Sequence, residues 1–391
     1  QERAVYALNC SPTRIESSDL NGDGRLDLVL ACRQGASGYT VWLASGEFAF
    51  EEGPHFELPA GLSNIKDLVV ADFNGDHLPD LAYTSGNAPY RTAVDFGLGD
   101  GTFLGSGDWI QAGELERLKA GDLNGDGMPD LFGVWHDSAT GRDWARALIN
   151  GGYGLFQHAQ YDGVGPAFEL PQGSGIASSN LVDVVLGDLN FDGALDAVIT
   201  SQKADHVVVL LGHGDGHFSL SDRHPVGTRT TPDCSYNFCG PWRSRIADLN
   251  GDGFLDVVVL GSSRRPNQPH AYGKMATGLG DGRFGEFVHI VNPRVSPATL
   301  SLVDLNNDGL TDVLTMTGTG ALELWRGMSS DDFGTGDCER TVICRFTCPD
   351  EQCRASCDEQ GDSEAIRLDE RIFDCISDNH RQDNYCLGNQ R

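Results

Sequence analysis

Short apolar runs rich in β-branched residues recur along the whole chain, and glycines and acidic residues bound them. Typical runs are LVLA (28–31), LAYT (81–84) and VVVL (257–260). They are too short for helices and predict buried β-strands. No segment shows a sustained apolar period of 3.6 residues, which excludes helical repeat arrays. The pattern therefore predicts an all-β fold.

Each of these runs directly follows a nine-residue acidic motif, Asp-x-Asn-x-Asp-x-x-x-Asp. The six copies are Asp19–Asp27, Asp72–Asp80, Asp122–Asp130, Asp188–Asp196, Asp248–Asp256 and Asp304–Asp312. Further along a repeat, a second strand ends in a Gly-rich turn with phenylalanine, as in GLGDGTF (97–103) and GLGDGRF (278–284). Four short antiparallel strands in each repeat are typical of a β-propeller blade.

Six motifs predict a six-bladed β-propeller over residues 1–333. A seventh, degenerate blade within 131–187 is the alternative. The last repeat stops one strand short, and RAVYALN (3–9) is positioned to supply the missing strand. Such closure leaves no open sheet edge.

The acidic motifs also predict metal sites, because oxygen ligands at alternate positions of a tight loop can converge on one hard cation. Side chains at motif positions 1, 3, 5 and 9 and the carbonyl of position 7 form the predicted ligand set. The predicted ligands are Asp19, Asn21, Asp23, Arg25, Asp27; Asp72, Asn74, Asp76, Leu78, Asp80; Asp122, Asn124, Asp126, Met128, Asp130; Asp188, Asn190, Asp192, Ala194, Asp196; Asp248, Asn250, Asp252, Phe254, Asp256; and Asp304, Asn306, Asp308, Leu310, Asp312.

Calcium is the predicted cofactor, with about six ions in a structural role. The set contains no His or Cys, which disfavours zinc, and its many protein oxygens suit the high coordination number of calcium better than magnesium. An EF-hand is excluded because position 12 is never Glu. The competing interpretation is that these residues only form turns. Position 6 is glycine in five loops and His77 in the second, which makes that loop the least regular site.

The motifs DLNGDGRLDLVLA, DLNGDGMPDLFGV and DLNGDGFLDVVVL, together with the Gly-x-Gly-Asp-Gly-x-Phe turns, resemble the FG-GAP (VCBS) repeat of integrin-α-like β-propellers. The resemblance covers roughly residues 1–333. It implies a calcium-binding propeller, and it implies no particular ligand, because this fold carries adhesins, lectin-like binders and some enzymes.

Charge narrows the range of partners. The 391 residues include 57 Asp+Glu and 28 Lys+Arg, a formal net charge of −29. So negative a chain argues against nucleic acid as a partner. The sequence contains no run of 18 apolar residues, so it predicts no membrane-spanning helix. We expect a glycan or an extracellular protein as ligand, and the oligomeric state stays open at this point.

Eleven cysteines favour an oxidising environment. We expect a secreted, extracellular or cell-surface protein, with the periplasm as an alternative, and a start at Gln1 suits a mature form. The expected pairs are Cys10–Cys32 and Cys234–Cys239. Seven cysteines lie between 338 and 386, and residues 334–391 are predicted to form a small, disulfide-rich helical C-terminal module, with zinc binding as the rival interpretation.

Long connections are the expected places for ligand binding, because a propeller blade requires only short ones. Segments 134–146 and 224–243 exceed that requirement and carry aromatic and arginine side chains suited to sugars or acidic glycans. The candidate ligand residues are Trp135, Arg142, Trp144, Arg229, Tyr236 and Trp242. Packing between blades is the alternative role for each of them.

The leading functional hypothesis is a secreted, calcium-stabilised propeller that acts as a binding or adhesion module for carbohydrate or protein. A secreted propeller enzyme acting on polysaccharide, either a lyase or a glycoside hydrolase, is the first alternative. The sequence contains no Gly-x-Ser-x-Gly, His-Glu-x-x-His or phosphate-loop motif, which disfavours an enzyme without excluding one. A structural subunit of a surface complex is the second alternative.

Overall fold

A computed structural model gives the fold of the chain. It describes residues 5–8, 12–32, 38–46, 49–58, 64–86, 91–110, 115–137, 139–154, 156, 168–170, 181–202, 204–226, 240–248, 252–265, 268–291, 297–303, 312–317 and 321–325. All regular elements in these ranges are strands. The predicted helical module at 334–391 and the pair Cys234–Cys239 lie outside the described residues.

The described ranges contain twenty-four strands. In chain order they are β1 (Val5–Ala7), β2 (Pro12–Ser18), β3 (Asp27–Cys32), β4 (Gly38–Gly46), β5 (Ala49–Glu57), β6 (Ile65–Ala71), β7 (Asp80–Ser85), β8 (Thr92–Gly97), β9 (Phe103–Ile110), β10 (Arg117–Gly121), β11 (Asp130–Asp137), β12 (Arg142–Leu148), β13 (Phe168–Glu169), β14 (Leu181–Gly187), β15 (Asp196–Ser201), β16 (His206–Gly212), β17 (Phe218–Pro225), β18 (Gly240–Ala247), β19 (Asp256–Arg265), β20 (Gln268–Ala276), β21 (Val288–Val291), β22 (Pro297–Val303), β23 (Asp312–Thr317) and β24 (Ala321–Trp325).

The strands form four-stranded antiparallel sheets, and the chain is an all-β β-propeller. Sheets one to five are the consecutive sets β2–β5, β6–β9, β10–β13, β14–β17 and β18–β21. A further sheet, described by its backbone, has the order β1-β24-β23-β22. In it β1 pairs with β24, with Tyr6 opposite Leu322, as predicted for residues 3–9. The described part of 131–187, where the sequence allowed a seventh blade, belongs to the third and fourth sheets.

Within a sheet, burial depends on the position of the strand. The first strand of each sheet lies innermost, since β2, β6, β10, β14 and β18 contact one another in succession. The second strand is covered on both faces: every residue of β3, β7 and β15 is buried. The fourth strand is outermost, and β5 and β17 are largely exposed or half-buried. This gradient explains why the second strands are continuous apolar runs rather than alternating ones.

The hydrophobic core lies between neighbouring sheets. Each core cluster combines side chains of two successive sheets; for example, Val29 and Tyr39 of the first sheet pack with Leu81 and Tyr83 of the second. Equivalent clusters join the second sheet to the third, the third to the fourth and the fourth to the fifth. Each of sheets one to five therefore buries its apolar surface against a neighbouring sheet.

Candidate metal-binding loops and the opposite face

The acidic motifs of sheets one to five lie at one end of the propeller. Each connects the first strand of its sheet to the second, and the Gly-x-Gly-Asp-Gly-x-Phe turns connect the third strand to the fourth. Because successive connections of an antiparallel sheet alternate between its two ends, motifs and turns share one end, here named the acidic end. The hairpins between second and third strands and the links between sheets lie at the opposite end, named the insertion end.

The carboxylate at motif position 1 closes each acidic loop by accepting backbone hydrogen bonds. Asp19 Oδ1 accepts from the Asp23 amide at 3.1 Å, and Asp19 Oδ2 accepts from the Gly24 amide at 2.8 Å. The bond from the position-6 amide recurs in the next four loops, at Asp72, Asp122, Asp188 and Asp248. The five loops therefore share one conformation.

Positions 3 and 5 extend this network at the exposed tip of the loop. Asn21 Oδ1 accepts from the Asp23 amide at 3.0 Å, and Asp23 Oδ1 accepts from the Arg25 amide at 2.9 Å. In the third loop the Asn124 side-chain amide donates to Asp126 Oδ2 at 2.9 Å. These side chains are Asx-turn formers, as the competing interpretation of the sequence held. The same oxygens are the predicted metal ligands.

The aspartate at position 9 has a structural role that the sequence alone did not reveal. Asp130 is fully buried. Its Oδ2 accepts from the Leu123 amide at 2.9 Å, and its Oδ1 accepts from the Asn150 amide at 2.8 Å. It thus ties the acidic loop to the end of the third strand of the same sheet. Both bonds recur at Asp27, Asp80 and Asp196, and the bond to the third strand recurs at Asp256.

The electrostatics of these buried aspartates disfavour their charged form. Burial is the largest cause, and the neighbouring motif carboxylates add to it, so that the pKa of Asp130 and of Asp196 is raised to about 6. Backbone amides donating to the carboxylates oppose the rise. The pKa of Asp27 is raised for the same reasons, with Asp23 and Asp19 as the nearby charges. A cation at the loop would relieve this repulsion.

The chemical type of the donor atoms suits a hard divalent cation. Every side-chain donor is an oxygen, and a carboxylate oxygen that accepts one N–H keeps a second lone pair for a metal. Across the described ranges, no three His, Cys, Asp or Glu side chains converge closely enough to hold an ion, because the loop carboxylates turn toward backbone amides. Of the predicted ligands, Asn250, Asp304, Asn306, Asp308 and Leu310 lie outside the described residues.

Two residues occupy loop positions that favour glycine. His77, at position 6 of the second loop, has a φ of 68°, where the other described loops have glycine. Phe191, at position 4 of the fourth loop, has a φ of 61°, where the first three loops have glycine. Both side chains are exposed. The second loop nevertheless keeps the shared hydrogen bonds, so the irregularity expected there is confined to His77.

The acidic loop of each of the first four sheets is joined to the glycine turn of the next sheet. The Gly101 amide of the second sheet donates to the carbonyl of Leu20 in the first at 3.2 Å. The Gly216 amide of the fourth sheet donates to the carbonyl of Leu123 in the third at 2.9 Å. The same bond links Gly154 to Phe73 and Gly282 to Leu189. The two sequence motifs recur together because they form one joint between sheets.

At the insertion end, the predicted ligand residues of the third sheet form a compact group. The rings of Trp135 and Trp144 stack with centroids 6.2 Å apart, and the Arg146 guanidinium lies 5.2 Å from the centre of the Trp135 ring. Both indoles are half-buried, and Trp135 packs against the core shared with the second sheet. Exposed Arg142 pairs with Glu169 at 2.6 Å. These half-buried tryptophans therefore pack in the fold and also present part of their surface for contact with a ligand.

The other predicted ligand residues lie in segment 224–243, which includes the connection between the fourth and fifth sheets and the start of β18. Trp242 lies on β18 and is half-buried, and its indole N–H is buried without a hydrogen-bond partner within the described part of the chain. Arg229 and Tyr236 lie outside the described residues. Cys10 lies outside the described residues, so the predicted pair Cys10–Cys32 stays a prediction.

Comparison with known proteins identifies the repeat. A family model described as FG-GAP-like repeat matches residues 19–83, 188–259 and 248–315. No curated protein matches the chain. No helix of the described residues is long and apolar enough to cross a membrane.

Solved structures with a similar outline include BBS1N in complex with ARL6DN, at 13% identity and a TM-score of 0.44, covering 83% of this chain and 94% of that one. A functionally unknown protein from Desulfotomaculum acetoxidans DSM 771 matches at 12% identity and a TM-score of 0.45, covering 83% of this chain and 87% of that one.

Proposed function

Because this chain belongs to the FG-GAP-like repeat family, we propose that it is a calcium-stabilised β-propeller acting as a binding or adhesion module. The observation that carries the proposal is the difference between the two ends of the propeller. The acidic end repeats one loop from sheet to sheet with the same hydrogen bonds. The insertion end carries connections of unequal length and composition. Repetition suits a structural metal, and variation suits recognition.

Calcium would be held by oxygens of motif positions 1, 3, 5 and 9 and by the position-7 carbonyl, with about six ions in the whole chain. The support is the oxygen-only donor set and the repulsion among three carboxylates in each loop. An ion that binds only the native chain adds its binding free energy to stability. The extracellular location that we propose would supply calcium in the range such loops require.

We further propose that the sheets close as a six-bladed ring. Supporting this, β22 contacts both β18 and β2, and β1 from the start of the chain completes the sheet of β22–β24. The strand from the start of the chain pairs the outer edge of β24, so that the last sheet also has four strands and both ends of the chain are held in one sheet. The tail at 334–391 would then be a separate disulfide-rich module.

The calcium proposal is tested by metal analysis and unfolding. We expect close to six calcium ions after exhaustive dialysis, and a markedly lower melting temperature in a chelator. Asp126→Asn removes a ligand at an exposed loop tip and should lower the calcium content by about one ion, the number held by one loop. Asp137→Asn makes the same charge change in a hairpin at the insertion end and should leave the content unchanged. Two or fewer ions in the wild-type protein would contradict the proposal.

The ligand is proposed to be a carbohydrate or an extracellular protein bound at the insertion end. Stacked indoles with a neighbouring guanidinium suit the apolar face and hydroxyl groups of a sugar. Trp242 offers a further indole N–H at the same end. These groups already have defined positions, which lowers the entropy cost of binding.

A glycan array with calcium present, followed by titration of the best ligand, tests this proposal. We expect Trp144→Ala or Trp242→Ala to weaken binding about tenfold or more, while calcium content and melting temperature stay nearly constant. Leu98→Ala truncates an exposed apolar side chain at the acidic end and should bind as the wild type does. If the tryptophan variants lose several kcal/mol of stability instead, their role is packing.

A further inference from the structure

One face of the third sheet places an arginine beside the stacked tryptophans. On β11 and β12, Trp135 lies opposite Trp144, and Gly133 lies opposite Arg146. Because alternate residues of a strand point to the same side of the sheet, Arg146 and both indoles share one face. The indole rings are 6.2 Å apart, and the Arg146 guanidinium lies 5.2 Å from the Trp135 ring. These three side chains are here named the indole–guanidinium group.

The guanidinium of Arg146 contacts an aromatic ring and no carboxylate. Within the part of the chain that the structure describes, its Nε is buried without a hydrogen-bond partner, and it forms no ion pair. Arg245, by contrast, pairs with Asp183 at 2.9 Å, and Arg142 pairs with Glu169 at 2.6 Å. Burial lowers the pKa of Arg146. The side chain is thus a half-buried cation whose N–H donors are unused.

The acidic side chains of the same hairpin bind other partners. Asp143 is buried and contacts His136 Nδ1 at 2.7 Å, and this pair lies on the opposite face of the sheet, since it alternates with the tryptophans. Asp137, near the tip of the hairpin, accepts from the Thr140 hydroxyl at 2.6 Å. An anion that complements Arg146 is therefore not supplied by this hairpin.

The indole–guanidinium group is closed on its inner side and accessible on its outer side. A Cβ at Gly133 would lie 2.7 Å from the methyl groups of Leu115, so Leu115 covers the strand opposite Arg146. Both indoles and Arg146 are only half-buried. Of the Arg146 nitrogens, Nε alone is both buried and unpaired, so the two Nη groups keep access to solvent. A ligand at the insertion end can therefore reach the indoles and the Nη donors together.

We infer that the indole–guanidinium group binds a hexuronic acid residue of an acidic polysaccharide. An indole packs against the C–H face of a sugar ring, and the planar guanidinium forms paired, charge-assisted hydrogen bonds with a carboxylate. A hexuronic acid carries its carboxylate directly on the sugar ring, so one small unit engages both parts of the group. An acidic peptide offers the carboxylate without the flat C–H face, and it leaves the indoles unused. The inference rests on the proposed carbohydrate-binding role and names the class of sugar.

NMR titration of the calcium-loaded protein with three small probes tests the inference. Methyl glucuronide carries the ring and the carboxylate, methyl glucoside carries the ring alone, and acetate carries the carboxylate alone. We expect the glucuronide to bind about tenfold more tightly than either other probe, a difference of about 1.4 kcal/mol.

Three results would overturn the inference: equal affinity for glucuronide and glucoside, equal affinity for glucuronide and acetate, or no binding of the glucuronide. Tighter binding of a tetraglutamate peptide than of the glucuronide would also overturn it and would indicate an acidic protein segment as the ligand. The first result leaves the proposed carbohydrate-binding role intact, and in the other cases the glycan array decides that role separately.

Substitutions locate the site. Arg146→Gln should lower the affinity for the glucuronide about tenfold, to that of the glucoside, and should leave glucoside binding unchanged. Arg146→Lys keeps the charge without the planar fork and should give an intermediate preference. Arg283→Gln makes the same charge change at an exposed turn of the acidic end and should bind as the wild type does. An unchanged preference in Arg146→Gln, or an equal loss in Arg283→Gln, would overturn the assignment. If Arg146→Gln fails to fold, Arg146→Lys and the three probes on the wild type still decide it.

Discussion

At the scale of single residues, backbone conformation limits which side chains the acidic loops accept. Positions 4 and 6 of the motif adopt a positive φ, and glycine occupies position 6 in every described loop except the second. A residue with a Cβ costs about 1–2 kcal/mol in this conformation. His77 therefore carries strain that its exposed side chain does not offset by packing.

His77→Gly should stabilise the protein by about 0.5–1 kcal/mol, because relief of strain exceeds the added entropy of glycine in the unfolded chain. Thermal or urea unfolding in a chelator measures the effect without a contribution from metal. The reverse change, Gly127→His in the third loop, is the control. A Cβ at Gly127 meets no atom within 4 Å, so backbone strain alone should destabilise that variant by about 1 kcal/mol. No difference between His77→Gly and the wild type would contradict this account.

At the scale of elements, the position-9 aspartate fastens each acidic loop to its sheet. From the start of β11, Asp130 binds Leu123 in the loop and Asn150, two residues after β12, through two backbone amides. The glycine turn of the next sheet then bonds to the same loop. The loop is consequently held from two sides before any ion is considered.

Asp130→Asn should destabilise the protein by about 2 kcal/mol in a chelator, because the new side-chain NH₂ faces a backbone N–H and leaves it unsatisfied. Asp126→Asn, at the exposed position 5 of the same loop, should cost less than about 0.5 kcal/mol under the same conditions. Urea unfolding of both variants gives the comparison. Equal losses would mean that position 9 acts only as a metal ligand.

At the scale of the whole molecule, the propeller separates its repeated connections from its variable ones. The described acidic loops and glycine turns occupy one end, and the connections of unequal length occupy the other. Every described core cluster bridges two sheets. A sheet that loses its loop structure therefore exposes the apolar face of its neighbour, and we expect cooperative unfolding of the ring.

Local pattern was sufficient for the strands, the acidic loops and the glycine turns. The run after each motif is a buried second strand, as LVLA and LAYT predicted. β1 (Val5–Ala7), within the segment 3–9 that was predicted to complete the last repeat, pairs with β24. The strands, loops and turns depend on residues that are adjacent in the chain, which a local pattern shows directly. The pairing of β1 was predicted because the last repeat has one strand fewer than the others.

Tertiary structure decided which residues meet. Arg14 and Asp67 are 53 positions apart and form one ion pair, and Arg117 and Arg243 share one carbonyl. Asp130 was predicted as a metal ligand, and only the fold shows that both its oxygens bind backbone amides. The alternation of arginine and aspartate five residues before the first five motifs (Arg14, Asp67, Arg117, Asp183 and Arg243) was present in the sequence. Its meaning depended on knowing that the first strands of these sheets contact one another in succession, because contacts between sheets are set by how the sheets pack and not by spacing along the chain.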